Sequence, residues 1–183
     1  DVTLIPDIMN QHFCNIVPLL QEKFPSNRED FKKYLPYRVL NSFYLTPVTE
    51  GDVLAELNKI NPRKSSGPDN FNAKLIQLCP DVFATNLTKI YNNSIQEGKY
   101  PTSMKVAKVI FLYKKGEKFT PGNYRPISLL SCFNKVFEKL LCKKLIIFFD
   151  YNKILYEFQF GFRALHSTTL ALIELESELI RIV

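Results

Sequence analysis

The chain has 183 residues, with 24 Lys and Arg against 18 Asp and Glu, a net charge of +6, 46% apolar residues and 13% aromatics. At this length such an apolar share supports one domain, or one domain with an extension, around a sizeable core; it excludes a largely disordered or fibrous chain. The apolar runs, such as Val109–Tyr113 and Leu145–Phe149, are too short for a membrane-spanning helix, and Asp1–Met9 lacks the basic start and apolar stretch of a secretory signal.

Taken in chain order, residues 1–46 alternate short apolar stretches with Pro6, Pro18, Pro25 and Pro36. The pattern predicts a helix over Ile8–Gln21 and then an irregular connector. Thr49-Glu50-Gly51-Asp52 opens the next helix. Thr49 is placed to cap it, Asp52 falls at its third position, and Val53, Leu57 and Ile60 form one stripe. Asn61-Pro62 ends it. Lys64-Ser65-Ser66-Gly67-Pro68-Asp69 is a turn by composition and leads into a short helix over Phe71–Leu78. Pro80 suits a first helical residue, and Phe83, Leu87, Ile90, Tyr91 and Ile95 mark an amphipathic helix that Gly98 closes.

Lys105–Tyr113 is β-branched and aromatic, and apolar on both faces after Lys108, which predicts a buried strand. Lys114–Asn123 has the glycines, proline and charges of an exposed hairpin loop. Tyr124–Leu130 reads as the returning strand, with Pro126 at its start or on an edge. Ser131 is placed to cap a long helix striped by Val136, Phe137, Leu140, Leu141, Leu145 and Phe148. An aromatic-rich loop over Tyr151–Phe162 follows. Ser167 then caps a last helix carrying Leu170, Ile173, Leu175 and Leu179. The fold class is α+β, mostly helical, with one basic β-hairpin.

The positive charge is concentrated. Between Lys99 and Arg125 stand Lys99, Lys105, Lys108, Lys114, Lys115, Lys118 and Arg125 against Glu117 alone, whereas residues 1–60 and 145–183 lean acidic. Tyr100, Phe111, Tyr113, Phe119 and Tyr124 are interleaved, as phosphate neutralisation with base or sugar contact requires. A solvated hairpin rim would carry the same lysines. Cys14, Cys79, Cys132 and Cys142 form no C-x-x-C pair and sit among apolar neighbours, which predicts buried free thiols in a reducing, intracellular compartment.

No catalytic constellation emerges. Only His12 and His166 could serve a relay or a zinc site, and His166 stands at a helix entrance. Phosphate-binding glycine motifs are absent. Two-metal phosphoryl chemistry needs carboxylates converging on ions roughly 4 Å apart. The adjacent pair Glu29-Asp30 lies in the connector, and Glu174, Glu176 and Glu178 read as a solvated helix edge.

Four segments nevertheless occur in a meaningful order: KSSGPD at Lys64–Asp69, KVAKVIFLYKKGEKFTPGNYRPISLLS at Lys105–Ser131, KVFEKLLCKKL at Lys135–Leu145, and QFGFRALHSTTLAL at Gln159–Leu172. Together they closely resemble the amino-terminal half of reverse transcriptases from non-LTR (LINE-type) retrotransposons. The resemblance runs from about Asn10 to about Glu178. It implies a connector over residues 1–46 and, over 47–183, the fingers part of a right-hand polymerase whose palm is truncated. It further implies that Lys114 or Lys115, together with Arg125, approaches the incoming deoxynucleoside triphosphate. Point charges and a planar fork donor suit a triphosphate. Lys64, Lys105, Lys108 and Lys118 would meet nucleic acid, and Gln159, Gly161, Phe162 and Arg163 would hold the template or shape the pocket near the templating base. Core packing under a loop is the alternative for Phe160 and Phe162.

Two departures stand out. Relatives commonly carry Gly-Arg or Gly-Cys where this chain has Ala164-Leu165-His166, which puts strong template binding there in doubt. The family's catalytic aspartates follow the last helix, beyond Val183, so this chain alone is expected to be inactive, with no metal or cofactor of its own. Mg2+, RNA template, DNA primer and deoxynucleoside triphosphate belong to the complete enzyme, together with the missing palm and thumb, and no membrane is involved. A stand-alone RNA- or DNA-binding module, or a non-functional remnant of a decayed element, is the alternative.

Overall fold

The computed structural model describes residues 4–24 and 41–182; Glu29-Asp30 lies outside them. The elements are α1 (Ile5–Gln21), α2 (Glu50–Asn58), α3 (Ala73–Leu78), α4 (Pro80–Glu97), β1 (Lys108–Tyr113), β2 (Tyr124–Leu129), α5 (Cys132–Tyr151) and α6 (Thr168–Ile182). The architecture is α+β and mostly helical, with a single antiparallel pair of strands among the described residues. Two compact units divide it. One holds residues 4–24 and Leu45–Leu141, the other residues 41–44 and 142–182, and α5 contributes to both.

The first unit is built on α2, α3, α4 and the first half of α5. Thr49 closes a capping box on α2: its Oγ1 accepts from the Asp52 amide, and Asp52 accepts from the Thr49 amide at 2.9 Å. Val53 and Leu57 are thereby aimed at Ala73, Ile76, Ala84, Leu87, Tyr91, Val136, Phe137 and Leu140, one continuous core. Phe137 is sandwiched between Tyr91, stacked at 4.5 Å, and Tyr100 at 5.3 Å. Each such ring pair contributes about 1 kcal/mol beyond its buried area. The Tyr91 hydroxyl donates to the Phe133 carbonyl at 2.7 Å, and Tyr100 hydrogen-bonds Asn134. Burial, reinforced by Tyr100, raises the Tyr91 phenol, and burial pushes Tyr100 up to about 12.

Polar groups inside this core are paired. Glu56, 2% exposed, meets Lys59 Nζ at 3.1 Å and Lys139 Nζ at 3.8 Å. Asn92 takes up both backbone groups of buried Val48, accepting its amide at 2.8 Å and donating to its carbonyl at 2.9 Å. Gln77 donates to the Ile60 carbonyl at 2.6 Å and ties α3 to the end of α2. Pro80 opens α4 and Gly98 closes it in the left-handed conformation at φ 63°, as the sequence predicts.

In the second unit Phe43 packs on Phe148 at 5.3 Å, and Asn41 donates to Asn152 at 2.8 Å. Ser167 caps α6, its hydroxyl accepting from the Leu170 amide at 3.2 Å. Leu172, Leu175, Leu179 and Ile180 are all exposed along α6, and Glu178 pairs with Arg181 at 2.8 Å.

Several expectations need correction. α1 begins at Ile5 and takes in Pro6 as an early helical residue, where proline costs no hydrogen bond. α3 starts at Ala73 because the Asn72 side chain caps the Lys74 amide. The strand begins at Lys108, after a 3-10 turn over Thr102–Lys105. It is also largely exposed, with Val109, Ile110 and Leu112 open. A two-stranded ribbon has two faces, and apolar residues on both stay exposed unless a layer covers each. Ile90 likewise lies on the outer face of α4, while Ala84 takes the inner place. Of the cysteines only Cys132 is buried; Cys14, Cys79 and Cys142 are exposed free thiols. Apolar neighbours do not ensure burial: Leu78, beside Cys79, and Val17, three residues after Cys14, are exposed as well.

Candidate nucleic-acid interface

The hairpin pairs Lys108 with Leu129, Ile110 with Ile127 and Leu112 with Arg125; the alternate pairs are Val109 with Ser128, Phe111 with Pro126 and Tyr113 with Tyr124. Because side chains alternate along a strand and directly paired residues share a face, the first set forms one surface and the second the other. Arg125 and Lys108 therefore flank an exposed strip of Ile110, Leu112 and Ile127. The opposite surface carries Phe111, which stacks on Phe13 of α1 at 5.5 Å and 12°.

Why the turn holds its shape is local chemistry. The Lys114 amide donates to the Asn123 carbonyl at 2.8 Å and closes the ladder. Asn123 Nδ2 donates back to the Glu117 carbonyl at 2.9 Å, and the Tyr124 hydroxyl to the Lys118 carbonyl at 2.8 Å. Tyr113 caps the Gly116 carbonyl and meets Tyr124 edge to face at 5.6 Å. Gly116 sits at φ 92°, a conformation side chains resist, and a Cβ there would stand 2.7 Å from Asn123. Backbone carbonyls are thus consumed internally, and Lys114, Lys115 and Lys118 project into solvent. Among the described residues none of Lys64, Lys105, Lys108, Lys114, Lys115, Lys118 and Arg125 has an ion-pair partner. Unpaired cations on an exposed ribbon suit phosphate binding.

The KSSGPD turn meets the foot of this hairpin. Gly67 packs so closely on the backbone of Leu130–Ser131 that a Cβ would stand 2.5 Å from the Ser131 nitrogen. Beside it opens a mostly apolar cavity of about 410 Å3, lined among others by Pro68, Asp69, Phe71, Met104, Val106 and Phe133. Asp69 is engaged locally, accepting from the Phe71 amide at 3.1 Å. Lys64 and Lys105 are exposed residues of the same unit. Nothing in the sequence signalled this cavity, since its walls come from three separate segments.

Gln159, Gly161, Phe162 and Arg163 lie in the second unit. Phe162 is fully exposed and stands at φ 62°, as does Leu165 at φ 62° and 96% exposure. Core packing is therefore set aside for Phe162. Phe160 is half-buried and meets the His166 ring at 5.8 Å. Arg163 donates to the Tyr156 carbonyl at 3.1 Å, which orients the guanidinium across the loop. His166 Nδ1 lies 2.8 Å from the Ala164 carbonyl.

Among the described residues no three His, Cys, Asp or Glu converge as metal ligands. Among the described residues the converging carboxylates that a Mg2+ pair needs are not brought together. No described helix is long and apolar enough to cross a membrane.

The chain matches no protein-family profile. It is 33% identical over 138 residues to the RNA-directed DNA polymerase from mobile element jockey of Drosophila melanogaster, a match covering 75% of this chain and 15% of that protein. It is 31% identical over 128 residues to the probable RNA-directed DNA polymerase from transposon BS of the same organism, covering 69% and 14%. A further relative is the Retrovirus-related Pol polyprotein from type-1 retrotransposable element R1 of Bradysia coprophila, 29% identical over 104 residues, covering 55% and 10%. The chain spans about 15% or less of the length of these relatives.

Proposed function

The chain belongs to the RNA-directed DNA polymerases of non-LTR retrotransposons, and from that premise we propose that it serves as the fingers part of such a polymerase, gripping template and incoming nucleotide. The observation that carries this reading is the unpaired cationic hairpin, with Arg125 on an open face and Lys114, Lys115 and Lys118 at the tip. On this reading Arg125 forks onto the triphosphate while Lys114 or Lys115 adds a point charge. Lys64, Lys105, Lys108 and Lys118 neutralise nucleic-acid phosphates. Phe162 offers a stacking plane to a base, with Gln159, Gly161 and Arg163 setting the loop around it. The exposed stripe of α6 is the surface a palm would cover. The carboxylates and Mg2+ of the chemical step are supplied by the complete enzyme, along with primer and template.

Fluorescence titration of a single-stranded RNA oligonucleotide across salt concentrations tests the proposal. Affinity falls steeply with salt, and reversing Lys114, Lys115 and Lys118 to Glu lowers the slope of log K against log salt by about 0.7 for each phosphate no longer neutralised. An unchanged slope and affinity in the triple variant remove the hairpin from the account.

A further inference from the structure

We propose that Phe13 of the connector helix α1 is a positioning residue for Arg125: by stacking on Phe111 it backs the hairpin on the face opposite the arginine and sets where the guanidinium stands. The inference rests on the nucleotide-gripping role of the hairpin and names a residue on a segment that the role itself does not require.

A two-stranded ribbon is marginal by itself and twists freely, so the placement of any side chain on it depends on what backs it. Here the register puts Leu112 and Arg125 on one face and Phe111 with Pro126 on the other. Phe13 meets Phe111 ring to ring, 5.5 Å between centroids and nearly parallel. His12 packs edge-on against Phe13 at 5.0 Å, and its Nε2 lies 3.8 Å from where a Cβ on Gly122 would stand, next to the hairpin's closing turn. α1 therefore touches the ribbon at mid-strand through Phe13 and beside the tip through His12. Met9, one turn earlier on the helix, is 8% exposed and seats α1 in the same unit. Two points of support along a ribbon restrict both its tilt and its twist, and Arg125 lies between them on the other side. The Arg125 face is left free for a ligand, while Phe111 on the opposite face carries the support.

The test uses the 183-residue chain and its Phe13→Ala, Phe13→Tyr and Arg125→Ala variants. Amide hydrogen exchange is followed in β1 and β2 and, for reference, at Leu57 and Tyr91 in the helical core. In parallel, the Arg125 Nε–Hε resonance is followed on titration with deoxythymidine triphosphate. In Phe13→Ala the hairpin amides exchange about tenfold faster with core amides unchanged, and the triphosphate midpoint rises several-fold. Phe13→Tyr, which keeps the ring, restores both. Wild-type hairpin exchange in Phe13→Ala overturns the inference. So does faster exchange with an unmoved midpoint, or an equal acceleration in the core, which would make Phe13 a general packing residue. If Arg125→Ala leaves triphosphate-induced shifts elsewhere on the hairpin unchanged, the nucleotide role of Arg125 fails instead, while the exchange data still decide whether Phe13 braces the ribbon.

Discussion

Gly67→Ala is the sharpest probe of how the KSSGPD turn meets the hairpin. An alanine Cβ at this position would stand 2.5 Å from the Ser131 nitrogen, 2.6 Å from the Leu130 carbonyl carbon and 2.8 Å from its oxygen. All three neighbours are backbone, so no side chain can swing away. To reach the 3.4 Å of ordinary contact the turn must retreat by roughly 0.9 Å, and overpacking of that size costs roughly 1–3 kcal/mol. A cost of about 2.5 kcal/mol applies because the atoms struck belong to the β2–α5 junction, where the Ser131 hydroxyl and carbonyl anchor the first turn of α5. Alanine returns about 0.5 kcal/mol by restricting the unfolded chain, leaving a net loss of about 2 kcal/mol. Thermal unfolding followed by circular dichroism should show a fall of roughly 4–8 °C. Gly51→Ala is the matched control. Its Cβ would meet only Thr49 Oγ1, at 3.8 Å inside α2, so it should melt at or slightly above wild type. A Gly67→Ala protein that melts with the Gly51→Ala control would refute the reasoning, because the close approach would then be slack.

Three further outcomes follow from the core. Phe137→Ala removes the ring held between Tyr91 and Tyr100 and should cost about 3–5 kcal/mol in urea unfolding. Asn92→Ala leaves both backbone groups of buried Val48 unpaired and should cost about 2 kcal/mol in the same assay, whereas an unaltered midpoint would mean water replaces the amide. Both phenols rise on burial, Tyr100 to about 12 against about 10 when unfolded, so the folded state binds the proton more tightly. The stability they contribute is complete below about pH 10 and is lost as pH climbs toward about 12. Unfolding midpoints measured from about pH 8 to about pH 11 should hold and then fall, and Tyr100→Phe should soften the fall.

Local rules carried most of the secondary structure. Thr49 with Asp52, Pro80 with Gly98, and Ser167 each make the cap their spacing announces, since a cap involves only neighbours along the chain. Burial was less readable. Lys108–Tyr113 has the composition of an inner strand yet lies exposed, because burial depends on what stacks on each face of the ribbon. Cys142 follows buried Leu140 by two residues on α5 and faces outward, a matter of helical phase, while Cys79 stands at the non-helical junction of α3 and α4.

By itself, the order of residues determined the family, the helix limits set by caps and the concentration of positive charge between Lys99 and Arg125. These depend on identity and short spacing. Tertiary structure alone decided that Arg125 and Phe111 stand on opposite faces of the ribbon, that Phe13 backs it, and that Gly67 abuts the Leu130–Ser131 backbone. Such facts join positions tens of residues apart, and strand register and close packing, which no local pattern encodes, bring them together.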